Sequence, residues 1–94
     1  MDTSPTELEI SESALGFKEM QRIKSNNGLL TGIIGQRTDG SFSYSVFCWD
    51  LSDYEYIGEG YWSSCDIGGF YQDLKGSLVE AQRYIETHDS KSKI

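Results

Sequence analysis

Histidine, proline and cysteine are almost missing from this chain, which has one His, one Pro and two Cys in 94 residues. The lone histidine, His88, sits at the expected end of a C-terminal helix as a cap or a solvated side chain, and neither cysteine has a histidine placed to make a thiolate pair. Two cysteines are too few for a disulfide scaffold, and Cys48 and Cys65 are too far apart for a CxxC site. Long apolar runs are also missing. The longest, LLTGIIG at Leu29–Gly35, falls far short of the roughly 20 residues of a membrane helix. The opening MDTSPTELEISES places acids where a signal peptide would be basic, and no apolar core follows. Free thiols and no leader together predict a cytoplasmic protein.

Positive charge is scarce too. Fifteen Asp and Glu against eight Lys and Arg give a net charge of −7 and a pI near 4.5. Nucleic-acid affinity rests on cations that displace counterions, so this balance disfavours a phosphate backbone, and anionic membranes for the same reason. It suits basic protein partners, or occupation of a groove that otherwise holds nucleic acid, with simple colloidal solubility as the competing reading.

The length fits one domain, near the lower end of sizes that bury an adequate core. Residues 1–12 read as a flexible acidic segment, 13–88 as a single α+β domain, and 89–94 (DSKSKI) as a flexible tail. No internal repeat is visible. The clearest local signal is Thr38-Asp39-Gly40-Ser41, because Asp-Gly favours a type I′ hairpin turn. A two-residue turn there sets Gly35 opposite Tyr44 and Gly32 opposite Phe47, so that aromatic rings would cover strand glycines. Phe42, Tyr44, Val46 and Cys48 then share one face, and Ser43, Ser45, Phe47 and Trp49 the other.

Asn27-Gly28 offers a second two-residue turn, joining a strand near Glu19–Ser25 to Leu29–Arg37. The competing reading is a helix over Ser13–Ser25, but Ala14, Leu15, Phe17, Met20 and Ile23 scatter round a helical wheel, which favours the strand. Tyr56–Ser64 alternates as a further strand, reached through the acidic loop LSDYE. Leu74, Leu78, Ala81 and Ile85 form one stripe of a C-terminal helix, with Asp73 as its cap and Ser77-x-x-Glu80 as a capping-box pattern one turn later. The fold class is therefore α+β, an antiparallel meander of three to four strands against one C-terminal helix. With the last hairpin turning near Asp53, Cys48 faces Gly58 or Glu59. Cys65 then lies about 23 Å further along at 3.3 Å per residue. No intramolecular bridge is expected from that geometry.

Several chemistries can be weighed on residue types alone. Asp50, Ser52, Asp53 and Glu55 place four oxygen side chains within six positions, as a hard cation would want, but the spacing is not that of an EF-hand. Asp and Ser also belong in tight turns for backbone reasons, so no metal site and no cofactor are expected. Asp50 and Glu59 could share acid–base work only inside an enclosing pocket, for which this short chain offers little wall. Gly58-x-Gly60 and Gly68-Gly69 lack the Lys or Arg of a phosphate loop. Base stacking would need a cationic groove, yet no Lys or Arg occurs between Asp50 and Asp73.

Protein recognition is what remains. Residues 50–74 carry six acids, no bases and six aromatics, with Trp49 just before them. Aromatics supply much of the energy at interfaces, and like-signed charges steer a complementary partner. Trp49, Asp50, Asp53, Tyr54, Glu55 and Glu59 are the candidate partner-binding residues. A strand-and-helix core built from Trp49, Tyr61 and Trp62 would explain the same aromatics without a partner. The meander followed by a helix beginning SLVEA (Ser77–Ala81) resembles small β-β-β-α proteins, HicB-type antitoxins among them, over about half of the chain. In size and acidity it is similar to phage-encoded inhibitors and toxin-neutralising immunity proteins. The acidic, aromatic segment and the lack of a catalytic motif point to a non-enzymatic neutraliser, a nucleic-acid mimic that fills the groove of a basic partner. The alternative is a self-associating domain that forms a homodimer.

Overall fold

The computed structural model describes residues 5–51, 54–58 and 60–89. A single helical turn, α1 (Glu12–Leu15), leads into β1 (Lys18–Lys24), β2 (Leu30–Gln36) and β3 (Phe42–Asp50). A second short turn, α2 (Tyr54–Ile57), precedes β4 (Tyr61–Ile67), and α3 (Leu74–Asp89) closes the fold. The four strands form one antiparallel sheet in the order β1-β2-β3-β4, with α3 against β2 and β3. This is the expected α+β meander with a C-terminal helix.

Most of the apolar run LLTGIIG lies in β2, a central strand buried on both faces, which suits a near-continuous run of apolar and small residues. Ile34 points into the core beneath α3, with Leu30, Tyr44, Val46, Ala81 and Ile85. Ile33 points the other way, into a second cluster with Leu8, Phe17 and Phe47. Ile33, Ile34 and Val46 are fully buried, and each contributes about 1.5–3 kcal/mol. The helical stripe packs as expected. Ala81 and Ile85 are buried, while Leu74 and Leu78 pack against the same cluster. Asp73 caps α3 by accepting the Gly76 amide at 2.7 Å, and Ser77 is buried, its hydroxyl turned back to the Leu74 carbonyl.

Residues 5–10, expected to be loose, lie against the sheet. Leu8 is 7% exposed, and the Trp62 indole donates to the Thr6 carbonyl at 2.8 Å. The segment is pinned electrostatically as well. Arg22 donates to both Glu7 and the Leu8 carbonyl, and Lys24 pairs with Glu7. The Lys24 ammonium, then the Arg22 guanidinium, hold the Glu7 carboxyl below the usual carboxylate range.

Both hairpin turns differ from expectation in detail. At Thr38-Asp39-Gly40 the Gly40 amide bonds to the Arg37 carbonyl, and Arg37 pairs with Ser41 across a three-residue loop. A type I′ turn would force Asp39 to positive φ. Here only Gly40 adopts it, at 92°, and Asp39 instead accepts the Ser41 amide and hydroxyl. The extra loop residue moves the register by one, so Gly35 faces Ser43 and Gly32 faces Val46. In the first hairpin Ser25 pairs with Leu30 across residues 26–29, again with only the glycine, Gly28, left-handed. The strand alternative for the segment before it is correct over β1, although a helical turn at α1 precedes it.

The third hairpin departs furthest. The expected strand at Tyr56–Ser64 begins instead at Tyr61, and residues 54–57 form α2. Lengthening the connection to residues 51–60 sets Cys48 opposite Ser63, not Gly58 or Glu59. Cys65 then falls beside Cys48 at a register shift, with the two Cα atoms 6.0 Å apart, and the pair forms a disulfide. The expectation of two lone thiols is therefore overturned, and with it the cysteine argument for a cytoplasmic location.

Candidate functional site

The described part of the acidic–aromatic segment is built on the ends of β3 and β4. Its base is the Cys48–Cys65 cross-link, which lies on the α3 side of the sheet beside Val46. Trp49 points to the opposite face, where its ring meets Trp62 edge-on with centroids 5.2 Å apart. A side chain at Gly60 would collide with the Trp49 ring, its Cβ reaching Cε2 and Cζ2 at 2.6 Å. Glycine is required there because the chain passes directly over the indole. The expected cover of Gly35 by Tyr44 and of Gly32 by Phe47 does not occur: Ile23 and Ile85 lie over Gly32 and Phe17 over Gly35, while Tyr44 lies over Gly68.

The six candidate residues are only partly gathered. Trp49 is half-buried and belongs to the packing of this end of the sheet. Asp50 ends β3 opposite Tyr61. Tyr54 opens α2, and Glu55 beside it is exposed. Asp53 and Glu59 lie outside the described residues, as does Ser52 of the oxygen cluster considered for a cation. Among the described residues no group of three His, Cys, Asp or Glu is placed to hold a metal ion.

Several contributors carried too little signal to be found in the sequence. Tyr56 is 86% exposed on α2, and Leu51 is exposed just before it. Ile67, the last residue of β4, and Phe70 just after it are 68% and 71% exposed, with the Arg37 guanidinium 4.8 Å above the Phe70 ring. Leu8 and Ile10 alternate in TELEI, a short amphipathic pattern that could have marked the N-terminal segment as a cover for the sheet.

Charge is sorted across the sheet. Among the described residues the cations fall on β1 (Lys18, Arg22, Lys24), after β2 (Arg37) and on α3 (Lys75, Arg83). None falls on β3, α2 or β4. Arg22 is held between Glu19 and Glu7, and its guanidinium is raised above its ordinary value first by the Glu19 hydrogen bond. At the other side Asp66 accepts the Tyr44 hydroxyl at 2.8 Å; burial first, then this carboxylate, pushes the Tyr44 hydroxyl well above its ordinary range.

His88, the single histidine, stacks on Tyr84 at 3.9 Å and contacts the Tyr84 carbonyl through Nδ1. A recess of about 570 Å³ between α1 and the β2–β3 turn lies at the end of β3 away from the acidic segment. Its walls include Phe17, Gln36 and Thr38. No described helix is long and apolar enough to cross a membrane. Comparison with known protein families, with curated proteins and with solved structures finds no match to this chain.

Proposed function

We propose that this chain is a non-enzymatic binding module whose acidic β3–β4 end engages a basic protein partner. The partner class is a nucleic-acid-handling protein, and the mode is neutralisation by filling its cationic groove, in the manner of an inhibitor or antitoxin. The observation that carries the reading is the sorting of charge, with every described Lys and Arg away from β3, α2 and β4. Exposed Glu55 and Tyr56 supply charge and aromatic area on one short turn. A cytoplasmic setting is not part of the proposal, since a disulfide persists more readily in oxidising compartments.

Immobilised poly-L-lysine is a suitable probe. Binding is expected at low salt and should weaken steeply as ionic strength approaches roughly 0.5 M, because screening shortens the reach of exposed charges. Replacing Asp53 and Glu55 together by lysine should weaken binding at least about tenfold. Replacing Glu9 and Glu12, which changes net charge equally at the α1 side, should weaken it less. Equal effects from the two double variants, or binding indifferent to salt, would refute a localised acidic surface.

The second reading, self-association, draws on one observation. β4 is an edge strand, and Ile67 at its end and Phe70 just after it stand exposed. Sedimentation that stays monomeric as concentration rises would eliminate it.

A further inference from the structure

We propose that the recess between α1 and the β2–β3 turn binds a small apolar carboxylate, with Arg37 as its anion contact. The recess lies at the end of β3 away from the acidic segment, so the idea is independent of the function proposed above. Its volume, about 570 Å³, falls in the range of small-molecule sites, which pair apolar walls with a few polar groups that orient the ligand.

Charge at this point runs against the rest of the chain. The recess is lined by two cations, Lys18 and Arg37, and one acid, Glu12, in a protein whose net charge is −7. Arg22, Lys24 and Arg83 each pair with a glutamate. Of the three described cations with no ion pair among the described residues, Lys18, Arg37 and Lys75, two meet at this recess. Asp39, the carboxylate of the adjoining loop, is turned instead to the Ser41 amide and hydroxyl.

The sheet register places the Arg37 charge. Gly35 and Ser43 are cross-strand partners, so their side-chain positions share one face, about 4.5–5.5 Å apart. Phe17 lies over Gly35, and the Arg37 guanidinium donates to the Ser43 hydroxyl at 3.4 Å. Aromatic wall and guanidinium therefore stand over neighbouring positions of the sheet. The Phe70 ring, 4.8 Å from the guanidinium, steadies it, and its remaining N–H groups meet no acceptor among the described residues. A planar fork of donors beside an apolar wall suits a carboxylate on an apolar body.

Amide NMR of the full chain, titrated with 3-phenylpropionate and separately with 3-phenylpropylammonium, tests the idea. The two probes share a body and differ in the sign of their charge. The carboxylate should shift the amides of residues 16–18 and 36–38 saturably, with Kd on the order of 1–10 mM for a probe this small. The ammonium should bind there at least about tenfold more weakly, although the net charge of −7 favours it over the chain as a whole. No saturable shift at these amides, or equal or tighter binding of the ammonium, overturns the proposal. Arg37→Gln should weaken the carboxylate at least about tenfold, and Arg83→Gln, an equal change of charge on α3, less than about twofold. Similar effects from those two variants overturn it. Should Arg37→Gln lose its dispersed amide spectrum, exposed Lys18→Gln decides, with about threefold weakening expected and unchanged affinity overturning the assignment.

Discussion

Replacing Gly35 by alanine puts a methyl group where β1 and β2 come closest. A Cβ built there overlaps the Lys18 carbonyl oxygen and lies 2.7 Å from both the Lys18 carbonyl carbon and Cδ2 of Phe17. Two of those atoms are backbone and cannot rotate aside. To relieve the clash, the start of β1 must lift from β2, breaking the pairings of Lys18 with Gln36 and Glu19 with Gly35. Phe17, only 4% exposed, must move with it.

Overpacking of this kind costs about 1–3 kcal/mol. Partial exposure of an aromatic core residue adds a share of its burial energy, about 1.5–3 kcal/mol. The expected destabilisation is therefore about 3 kcal/mol or more, a large part of the 5–15 kcal/mol typical of a domain. For a chain this short, about 3 kcal/mol lowers Tm by roughly 12–24 °C.

Gly69→Ala is the internal control. Nothing lies within 4 Å of its added Cβ, and its φ is not in the left-handed range. That change should be neutral, or stabilising by about 0.4–1 kcal/mol, through the entropy of the unfolded chain. Urea unfolding followed by far-ultraviolet circular dichroism measures both variants. If Gly35→Ala lies within about 0.5 kcal/mol of the parent, the β1–β2 register is wrong.

Two other changes report on the opposite faces of the sheet. Leu8→Ala should cost about 2–4 kcal/mol in the same urea assay, because it removes the cover over Ile33 and Phe47; a cost below about 0.5 kcal/mol would mean that the N-terminal segment contributes nothing. Tyr44→Phe should cost about 1 kcal/mol at neutral pH through loss of the bond to Asp66. Because folding raises the Tyr44 pKa, its contribution is complete below roughly pH 10 and is lost as pH rises from there toward the folded value. Alkaline unfolding should therefore be shallower in Tyr44→Phe, and identical slopes above pH 10 would contradict this assignment.

Local sequence accounts for much of what the fold contains. Alternation along β3 put Tyr44, Val46 and Cys48 on one face and Ser43, Phe47 and Trp49 on the other, and both groupings hold although the register moved by one. They hold because strand side chains alternate whatever the partner strand does. The stripe Leu74, Leu78, Ala81 and Ile85 and the Asp73 cap are equally local, set by helical period and side-chain reach.

What the sequence did not carry is every property that depends on where a turn ends. One more residue in the Thr38–Gly40 loop re-paired every position of β2 with β3. A helical turn inside residues 51–60 moved β4 along the chain and brought Cys65 beside Cys48. Only the tertiary structure decided that α3 covers the Tyr44–Val46 face while Leu8 and Phe17 cover Phe47. The physical reason is one of range. Side-chain alternation and helical period are decided within a few residues, whereas register, cross-linking and the choice of covered face depend on contacts between segments distant in sequence. The acidic segment follows that division, with its charge and aromatics plain in the sequence and its closure by a disulfide supplied by the fold.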